Sequence, residues 1–388
     1  MLNVSPQAII SDAAGAYVSR WRQLDFMCYG CVVLIMSIGL IMVASSSMDF
    51  AHAQYNDAWF FIKKQIIFLG LGCTLGLVIL AIPIKIWNRF SGLLLIAGLF
   101  LLAAVLIPGI GKVVNGSRRW LSLGLFSIQA SELAKFCFVI YFASFLSRKN
   151  EELKTQWSGF IKITFIMLAI VFLLLMEPDF GTSVIISMVA GIVMFVAGVP
   201  IIRFALLALS GIAGLAAIAV FSPYRWERLV AFMDPWSRQF DSGYQLVQSL
   251  IAFGRGEWLG VGLGNSLQKL FFLPEAHTDF IFAIYTEEFG YIGALGLIAL
   301  FSFLLSRLLM LFNKACVKQQ FFSAYLILGI AVMIAAQAFI NMGVASGLLP
   351  TKGLTLPLIS YGGSSMLVTC CLIALVMRVN LELADDKP

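Results

Sequence analysis

Charge is what this sequence most lacks. Only 12% of its 388 residues are Asp, Glu, Lys or Arg, about half the share of an ordinary soluble domain. A soluble chain of this length would divide into two or three domains with polar surfaces, and there is too little charge here to cover one. Cysteine is missing where a secreted scaffold would need it. Cys28, Cys31, Cys73, Cys137, Cys316, Cys370 and Cys371 all fall in apolar runs or on the side expected to face inward, which excludes a disulfide framework or a zinc site in the outer loops. Cys28 and Cys31 have CxxC spacing, but inside an apolar helix they read as small core residues. The sequence also lacks low-complexity linkers, repeats and any second globular segment.

Apolar sequence is what is abundant, at 61% hydrophobic residues. Runs near 24–46, 62–82, 90–108, 127–147, 160–177, 180–198, 201–221, 279–308, 320–347 and 356–379 are each close to the roughly 20 residues that cross a bilayer as a helix. Barrel strands would be shorter and would alternate. The expected fold is therefore an all-α polytopic integral membrane protein, one domain over 1–388 with ten transmembrane helices. With the N-terminus inside, fourteen Lys and Arg face inward and eleven outward, five of the eleven in one long loop that is discounted. An even number of spans then puts both termini in the cytoplasm. The outward bases are either solvated loop charge or the footprint of an anionic ligand beside the membrane.

That long loop, 222–278, joins spans seven and eight and has too little apolar material for a core of its own. Its Tyr224, Trp226, Trp236 and Trp258 suggest a segment lying along the membrane surface. Within it, GRGEWLGVGLGNS lacks the strand and helix that a dinucleotide fingerprint needs. Its glycines read instead as turns that bring backbone close to a ligand or to neighbouring helices.

Charge inside an apolar span costs about 2.5–3.5 kcal/mol at mid-helix, so each instance is informative. In SIQASELAKFCFVIYFASF, Glu132 and Lys135 lie three apart on one helical face and can pair. They form a structural ion pair, or one that also faces a functional cavity. MEPDFGT is a tight hairpin whose Glu177 and Asp179 are solvated or cap the next helix. Asp279 opens the eighth span after the extended LPEAHT; at about 100° per residue, Glu287 lies about 80° around the helix from it and Glu288 lies opposite. A helix-capping role accounts for Asp279 alone but not for Glu275 and His277 beside it. A carboxylate near bases at a water–lipid boundary can accept a proton from a substrate hydroxyl. His277 reads as a substrate contact or a loop-positioning residue, since with Asp279 alone it makes too small a metal site.

The last loop, GLLPTKGLTLPLISYGGSSM, breaks its helix at Pro350, Gly353, Pro357, Gly362 and Gly363. Irregular backbone at membrane depth is tolerated where it lines a cavity or is buried in protein. With Lys352 and the hydroxyls of Ser360, Tyr361, Ser364 and Ser365, it makes a plausible cradle for a phosphate or diphosphate. The sum is an outward cavity for an amphiphile with an anionic head.

LPEAHTDFIFAIYTEEFG, NGSRRWLSLG with IQASELAK, MEPDFGTS and GLLPTKGLTLPLISYGGSS together resemble the SEDS proteins (shape, elongation, division and sporulation) over nearly the whole chain, from the first span to Met366. The wording of the last loop is closer to the division members than to the elongation members. The resemblance implies a peptidoglycan glycosyltransferase that polymerises lipid II at the outer face of the bacterial inner membrane, inverting the anomeric centre and releasing undecaprenyl diphosphate during septal synthesis. It implies Asp279 as the catalytic residue, and substrate contacts from Arg119, Trp120, Glu132, Lys135, Lys352, Ser360, Tyr361, Gly362, Gly363 and Ser364, with His277 added from its place beside Asp279. Expected partners are a class B penicillin-binding transpeptidase, other divisome membrane proteins and membrane lipid, with no nucleic acid. A divalent cation, Mg2+ or Mn2+, is the expected cofactor, with no organic one and with ligands the sequence does not identify. Ala130 stands where the family often has proline, and Ser127 where it often has a base.

A lipid flippase would also show intramembrane charge and broken helices, but it would need sites on both sides. Here Asp279, Lys352, Arg118 and Arg119 are all expected outside. A scaffold that only recruits the transpeptidase would leave Asp279 dispensable.

Overall fold

The computed structural model describes residues 25–114, 117–122, 124, 127–220 and 232–385. Arg20, Arg22, Tyr224 and Trp226 lie outside the described residues. In chain order the helices are α1 (Phe26–Tyr55), α2 (Phe60–Ala81), the short α3 (Ile84–Arg89), α4 (Ser91–Leu106), α5 (Ala130–Thr155), α6 (Trp157–Met176), α7 (Phe180–Val196), α8 (Ile201–Val220), α9 (Tyr244–Gly256), α10 (Ile281–Val317), α11 (Phe321–Ala345) and α12 (Gly363–Asp385). Among the described residues, seven helices are long and apolar enough to cross a membrane: α1, α2, α5, α6, α10, α11 and α12. Two further expected spans are shorter apolar helices of 16 and 17 residues, α4 and α7, and that near 201–221 is the 20-residue α8. The helical membrane fold stands, with one small sheet outside the spans. The expected count of ten exceeds the seven that meet both criteria.

Burial follows sequence. In α11, 89% of the most apolar window is inside the protein, against 28% in α2 and in α10. α11 is thus the central post, and it carries Gln337 and Asn341, both buried, on an otherwise apolar helix. Cys28 and Cys31 are free and buried, as small core residues should be.

Two segments expected as plain outer loops have structure. Between α4 and α5 lies a three-stranded antiparallel sheet, β1 (Gly111–Val114), β2 (Ser117–Ser122) and β3 (Ser127–Gln129), in the order β1-β2-β3. Trp120 on β2 pairs with Lys112 on one side and Gln129 on the other. The long loop does not simply lie on the membrane surface. Its helix α9 buries Leu246, Val247, Ala252 and Phe253, and Ser249 Oγ donates to Ala345 O at 2.6 Å, tying α9 to the end of α11.

The glycines of the long loop make the close approach their number suggests. Helix α10 breaks at Gly290 (φ 69°, ψ −171°). In an unbroken helix Tyr291 N would donate to Glu287 O, and Ile292 N to Glu288 O. Instead Tyr291 N donates to Glu257 O (2.9 Å) and Ile292 N to Trp258 O (3.2 Å). The stranded carbonyls of Glu287 and Glu288 accept from Val261 N and Gly262 N, each at 3.0 Å. The loop is a splint in the helix break. It is locked by side chains: Glu287 accepts from Arg255, Ser266 Oγ and the N–H groups of Leu267 and Gln268, while Glu288 accepts from Lys269 Nζ (3.1 Å) and Ser45 Oγ (2.6 Å).

Gly290→Ala tests the splint. A Cβ at Gly290 would lie 2.5 Å from both Gly260 N and Trp258 O, at a positive φ. Left-handed backbone alone costs about 1–3 kcal/mol at a non-glycine residue. The variant is expected to melt several degrees lower in detergent, with the 255–268 region becoming protease-sensitive; an unchanged melting curve would contradict the splint.

Candidate active site

LPEAHTDF turns on Glu275, whose φ is 56° and whose carbonyl accepts from both Thr278 N and Phe280 N at 3.2 Å. Helix α10 begins only at Ile281 with Phe280 as its N-cap. Asp279 therefore precedes the helix, and its carboxylate is not the cap. The expected angular relation among Asp279, Glu287 and Glu288 does not apply either, because the two glutamates hold the long loop. Of the four acids in this stretch, two are structural and two, Glu275 and Asp279, line a cavity of about 730 Å³ at one end of the bundle.

The cavity is assembled from six parts of the chain. Lys64, Ile67 and Phe68 come from α2; Ser117, Arg119, Trp120, Ser127 and Gln129 from the sheet; Glu132 from α5; Asp179 and Thr182 from the α6–α7 hairpin; Thr278 and Asp279 from the turn before α10; and Gly353, Thr355, Tyr361, Gly362, Gly363, Ser364 and Ser365 from the last loop and α12. Only 28% of the most apolar window of α2 is inside the protein, so the helix that supplies this wall is an apolar one largely exposed at the surface of the bundle. Gln129, Asp179 and Thr182 form one polar corner: Asp179 accepts from Thr182 N (3.2 Å), Thr182 Oγ1 (3.0 Å) and Gln129 Nε2 (3.4 Å). Asp179 is thus the cap of α7 that the hairpin reading allowed.

Of the expected site residues, Asp279, Arg119, Trp120, Glu132, Tyr361, Gly362, Gly363 and Ser364 line this cavity. Four do not. Lys135 is 1% exposed behind Glu132, donating to Glu132 Oε1 (2.9 Å) and Gln337 Oε1 (3.2 Å). Ser360 Oγ is spent on backbone, donating to Thr278 O (2.6 Å) and accepting from Leu356 N (2.8 Å). His277 is buried in an aromatic cluster, its ring centroid 4.4 Å from Phe61, 5.5 Å from Phe50 and 5.8 Å from Tyr361. Of its two readings, the structure favours loop positioning. Lys352 lies over the Phe180 ring at 4.0 Å, outside the cavity lining, so among the described residues the cations lining the cavity are Lys64 and Arg119.

Electrostatics separate these groups. Asp279 is only half-buried, because its carboxyl faces the cavity. Enclosure by protein, and then Glu275, raise its pKa to about 7 against the opposing charge of Arg119. Burial lowers the pKa of His277, against Glu275, and so favours the neutral ring. Arg119 is anchored by Nε to Glu177 O (3.0 Å) and Nη2 to Pro178 O (2.6 Å). Next to it the Glu177 carboxyl is fully enclosed with neither oxygen hydrogen-bonded, and burial, then Asp179, push its pKa up to about 8.

Gln129, Lys64, Thr355, Gln337 and Asn341 are site or support residues that the sequence reading passed over. Gln337 and Asn341 had a signal: two amides four apart on an apolar span must share a face and find partners. Lys64 is one of the outward bases that the charge count could not separate from solvated loop charge, and for Gln129 and Thr355 there was no signal. No group of three or more His, Cys, Asp or Glu side chains gathers into a metal cage among the described residues.

A family model described as "Cell cycle protein", covering FtsW, RodA and SpoVE, matches residues 25–384. A protein of Saccharophagus degradans described as "Probable peptidoglycan glycosyltransferase FtsW" is 70% identical over 381 residues, 98% of each chain. One of Hahella chejuensis with the same description is 50% identical, covering 94% of this chain and 92% of that one. Among solved structures, a chain from a study of polymerization and crosslinking by a peptidoglycan synthase complex superposes with a TM-score of 0.75 at 30% identity, covering 93% of this chain and 99% of that one. The rod shape determining protein RodA of Thermus thermophilus superposes with a TM-score of 0.69 at 27% identity, over 93% and 98% of the two chains.

Glu177 offers a check on the site's electrostatics. Its folded pKa is raised to about 8, so between about pH 5 and pH 8 the unfolded chain gives up this proton while the folded protein keeps it. That linkage costs stability as pH rises and levels off above pH 8. Glu177→Gln removes it. The variant is expected to melt a few degrees above the parent at pH 8, with the gap shrinking towards pH 5; a gap independent of pH would refute the protonated carboxyl.

Proposed function

Because the chain belongs to the FtsW, RodA and SpoVE family of cell cycle proteins, we propose that it is a peptidoglycan glycosyltransferase of the division type, polymerising lipid II into glycan strands. The observation that carries this is Asp279: a carboxyl held near neutrality in a cavity that also presents Arg119 and Lys64 and has one wall on a lipid-facing helix. An acceptor sugar hydroxyl must lose a proton as it attacks an anomeric carbon, and a lipid-linked diphosphate must leave. With a pKa of about 7, Asp279 is matched to a general base at neutral pH. Arg119 and Lys64 supply positive charge where the diphosphate charge develops. One in-line displacement of an α-linked diphosphate gives a β-linkage.

Trp120, Tyr361 and the Gly362–Gly363 backbone are the cavity's sugar- and phosphate-facing surfaces in this reading. Glu132 faces the cavity while neutralised by Lys135, so it acts as a hydrogen-bond acceptor rather than as a second base. Lys352 and Ser360 act on the shape of the last loop. A Mg2+ or Mn2+ ion would fit only as a substrate-borne ion on the diphosphate oxygens, because no three His, Cys, Asp or Glu side chains gather into a cage among the described residues. Its contribution there would be to neutralise the leaving group.

The protein is a multi-pass membrane protein. In this reading it sits in the bacterial inner membrane with both termini cytoplasmic, concentrates at the septum, and works with a class B penicillin-binding transpeptidase and other divisome membrane proteins. The synthase-complex neighbour supports the transpeptidase partner.

The deciding measurement is lipid II polymerisation by the purified protein with its transpeptidase, wild type against Asp279→Asn. The wild type should make strands, with kcat/KM rising through about pH 7 as the base loses its proton. The folded, partner-binding variant should make none. Equal product from both would remove Asp279 from the chemistry. No product from either, while lipid II crosses the bilayer, would favour a flippase.

A further inference from the structure

The turn that delivers Asp279 is held by three successive carbonyls. His277 O accepts from Tyr361 N (3.0 Å), Thr278 O from Ser360 Oγ (2.6 Å) and Asp279 O from Asn341 Nδ2 (2.8 Å). The first two donors belong to the last loop. The third stands on the central post α11, 1% exposed. The same Asn341 nitrogen donates to Leu354 O at 2.6 Å, so both amide hydrogens are committed, each to a different segment. Its Oδ1 is buried without a hydrogen-bond partner among the described residues. Two carbonyl oxygens facing one end of the amide leave only one orientation for it.

Leu354 follows Gly353, and Gly353 lies against the acid itself. A Cβ added there would fall 2.8 Å from Asp279 Oδ2. The backbone of Gly353 is not in the left-handed region, so its lack of a side chain answers to space and not to conformation. Asn341 therefore fixes the distance between two backbones, and the gap left by Gly353 is where the carboxyl sits.

We propose that Asn341 is a positioning residue for Asp279: its amide rivets the turn that bears the acid to the last loop, and Gly353 leaves the slot that the carboxyl occupies. This rests on Asp279 being the base. Aspartate in place of Asn341 has the same shape but turns acceptor oxygens towards two carbonyls, and leucine offers no donor. Either releases the turn, whose Glu275 already has a positive φ and which has no regular secondary structure of its own from Leu273 to Phe280. The carboxyl then swings out into the open cavity.

The test is steady-state lipid II polymerisation with the transpeptidase partner, using Asn341→Leu, Asn341→Asp, Gly353→Ala and Asp279→Asn. Small misplacements of a reacting group cost up to about a hundredfold. Asn341→Leu and Asn341→Asp are expected to lower kcat tenfold to a hundredfold while KM stays within about twofold. The charged groups acting on Asp279 are Glu275 and Arg119. Exposure to water reduces the burial that raises its pKa, so the midpoint of the pH–rate profile should fall towards the ordinary carboxylate range. Gly353→Ala pushes the same carboxyl from the cavity side, where little core packing is at stake, and is expected to give the same loss and the same pH shift. An unchanged kcat in Gly353→Ala and Asn341→Leu, beside an inactive Asp279→Asn, would overturn the proposal. So would losses confined to KM or to thermal stability with an unmoved pH midpoint. A fully active Asp279→Asn would instead overturn the base on which it rests.

Discussion

Lipid offers no hydrogen bonds, and every break in a helix of this protein has to be closed by the protein itself. That constraint organises the active end of the bundle. The break at Gly290 is closed by loop backbone, with Val261 and Gly262 donating to the carbonyls it strands. The last loop is closed by amides from two helices: Gln65 Nε2 donates to Ser360 O (3.2 Å), Gln65 Oε1 accepts from Gly362 N (3.4 Å), and Gln337 Nε2 donates to Thr355 O (3.1 Å). The turn at 277–279 is closed by Tyr361, Ser360 and Asn341. Buried amides are the common device, because each can donate and accept, and neither act carries a charge into lipid.

The same constraint explains why so many acids gather in one place with such different fates. Glu287 and Glu288 are fully buried, and each is met by a base and a hydroxyl. They stay where they are because leaving one partner unpaired would cost far more than the pair contributes. Glu132 is neutralised by Lys135. The Glu177 carboxyl has no hydrogen-bond partner among the described residues, and burial, then Asp179, push its pKa up to about 8. Among the described acids lining the cavity, Asp279 alone combines enclosure by protein with an electrostatic partner, Arg119, in place of a hydrogen-bonded one. A group in that state can take and return a proton without dismantling a structural pair.

Much of this was legible in the sequence, and the part that was not has a physical cause. The apolar runs, the charge deficit and the breaks at Pro350, Gly353 and Pro357 indicated the membrane fold and the irregular last loop. The acid before α10 and the pair at Glu132 and Lys135 could be picked out because charge in an apolar stretch needs a reason. The closeness signalled by the glycines at 254–264 was also readable, but not its target, since no pattern in a loop says which helix it will splint. Angular reasoning failed for Asp279 because the helix starts two residues later than hydropathy suggests. Lys352 was read as a cation of the last-loop cradle, and its place over the Phe180 ring is a long-range contact that nothing in the loop's own sequence signals. Arg119 and Trp120 were identified, but the strand pairing that aims them is a long-range contact without a local signature.

Helix α11 shows how the parts depend on one another. One turn apart, Gln337 accepts from Lys135 and donates to Thr355 O, and Asn341 donates to Asp279 O and Leu354 O. The buried ion pair, the last loop and the reactive acid are thus fastened to one nearly fully enclosed helix. The cavity can then be wet and partly open to lipid without its reacting group drifting, because what fixes that group lies behind the cavity wall and not within it. Rigidity is concentrated in the apolar core, where hydrogen bonds face no competition from water.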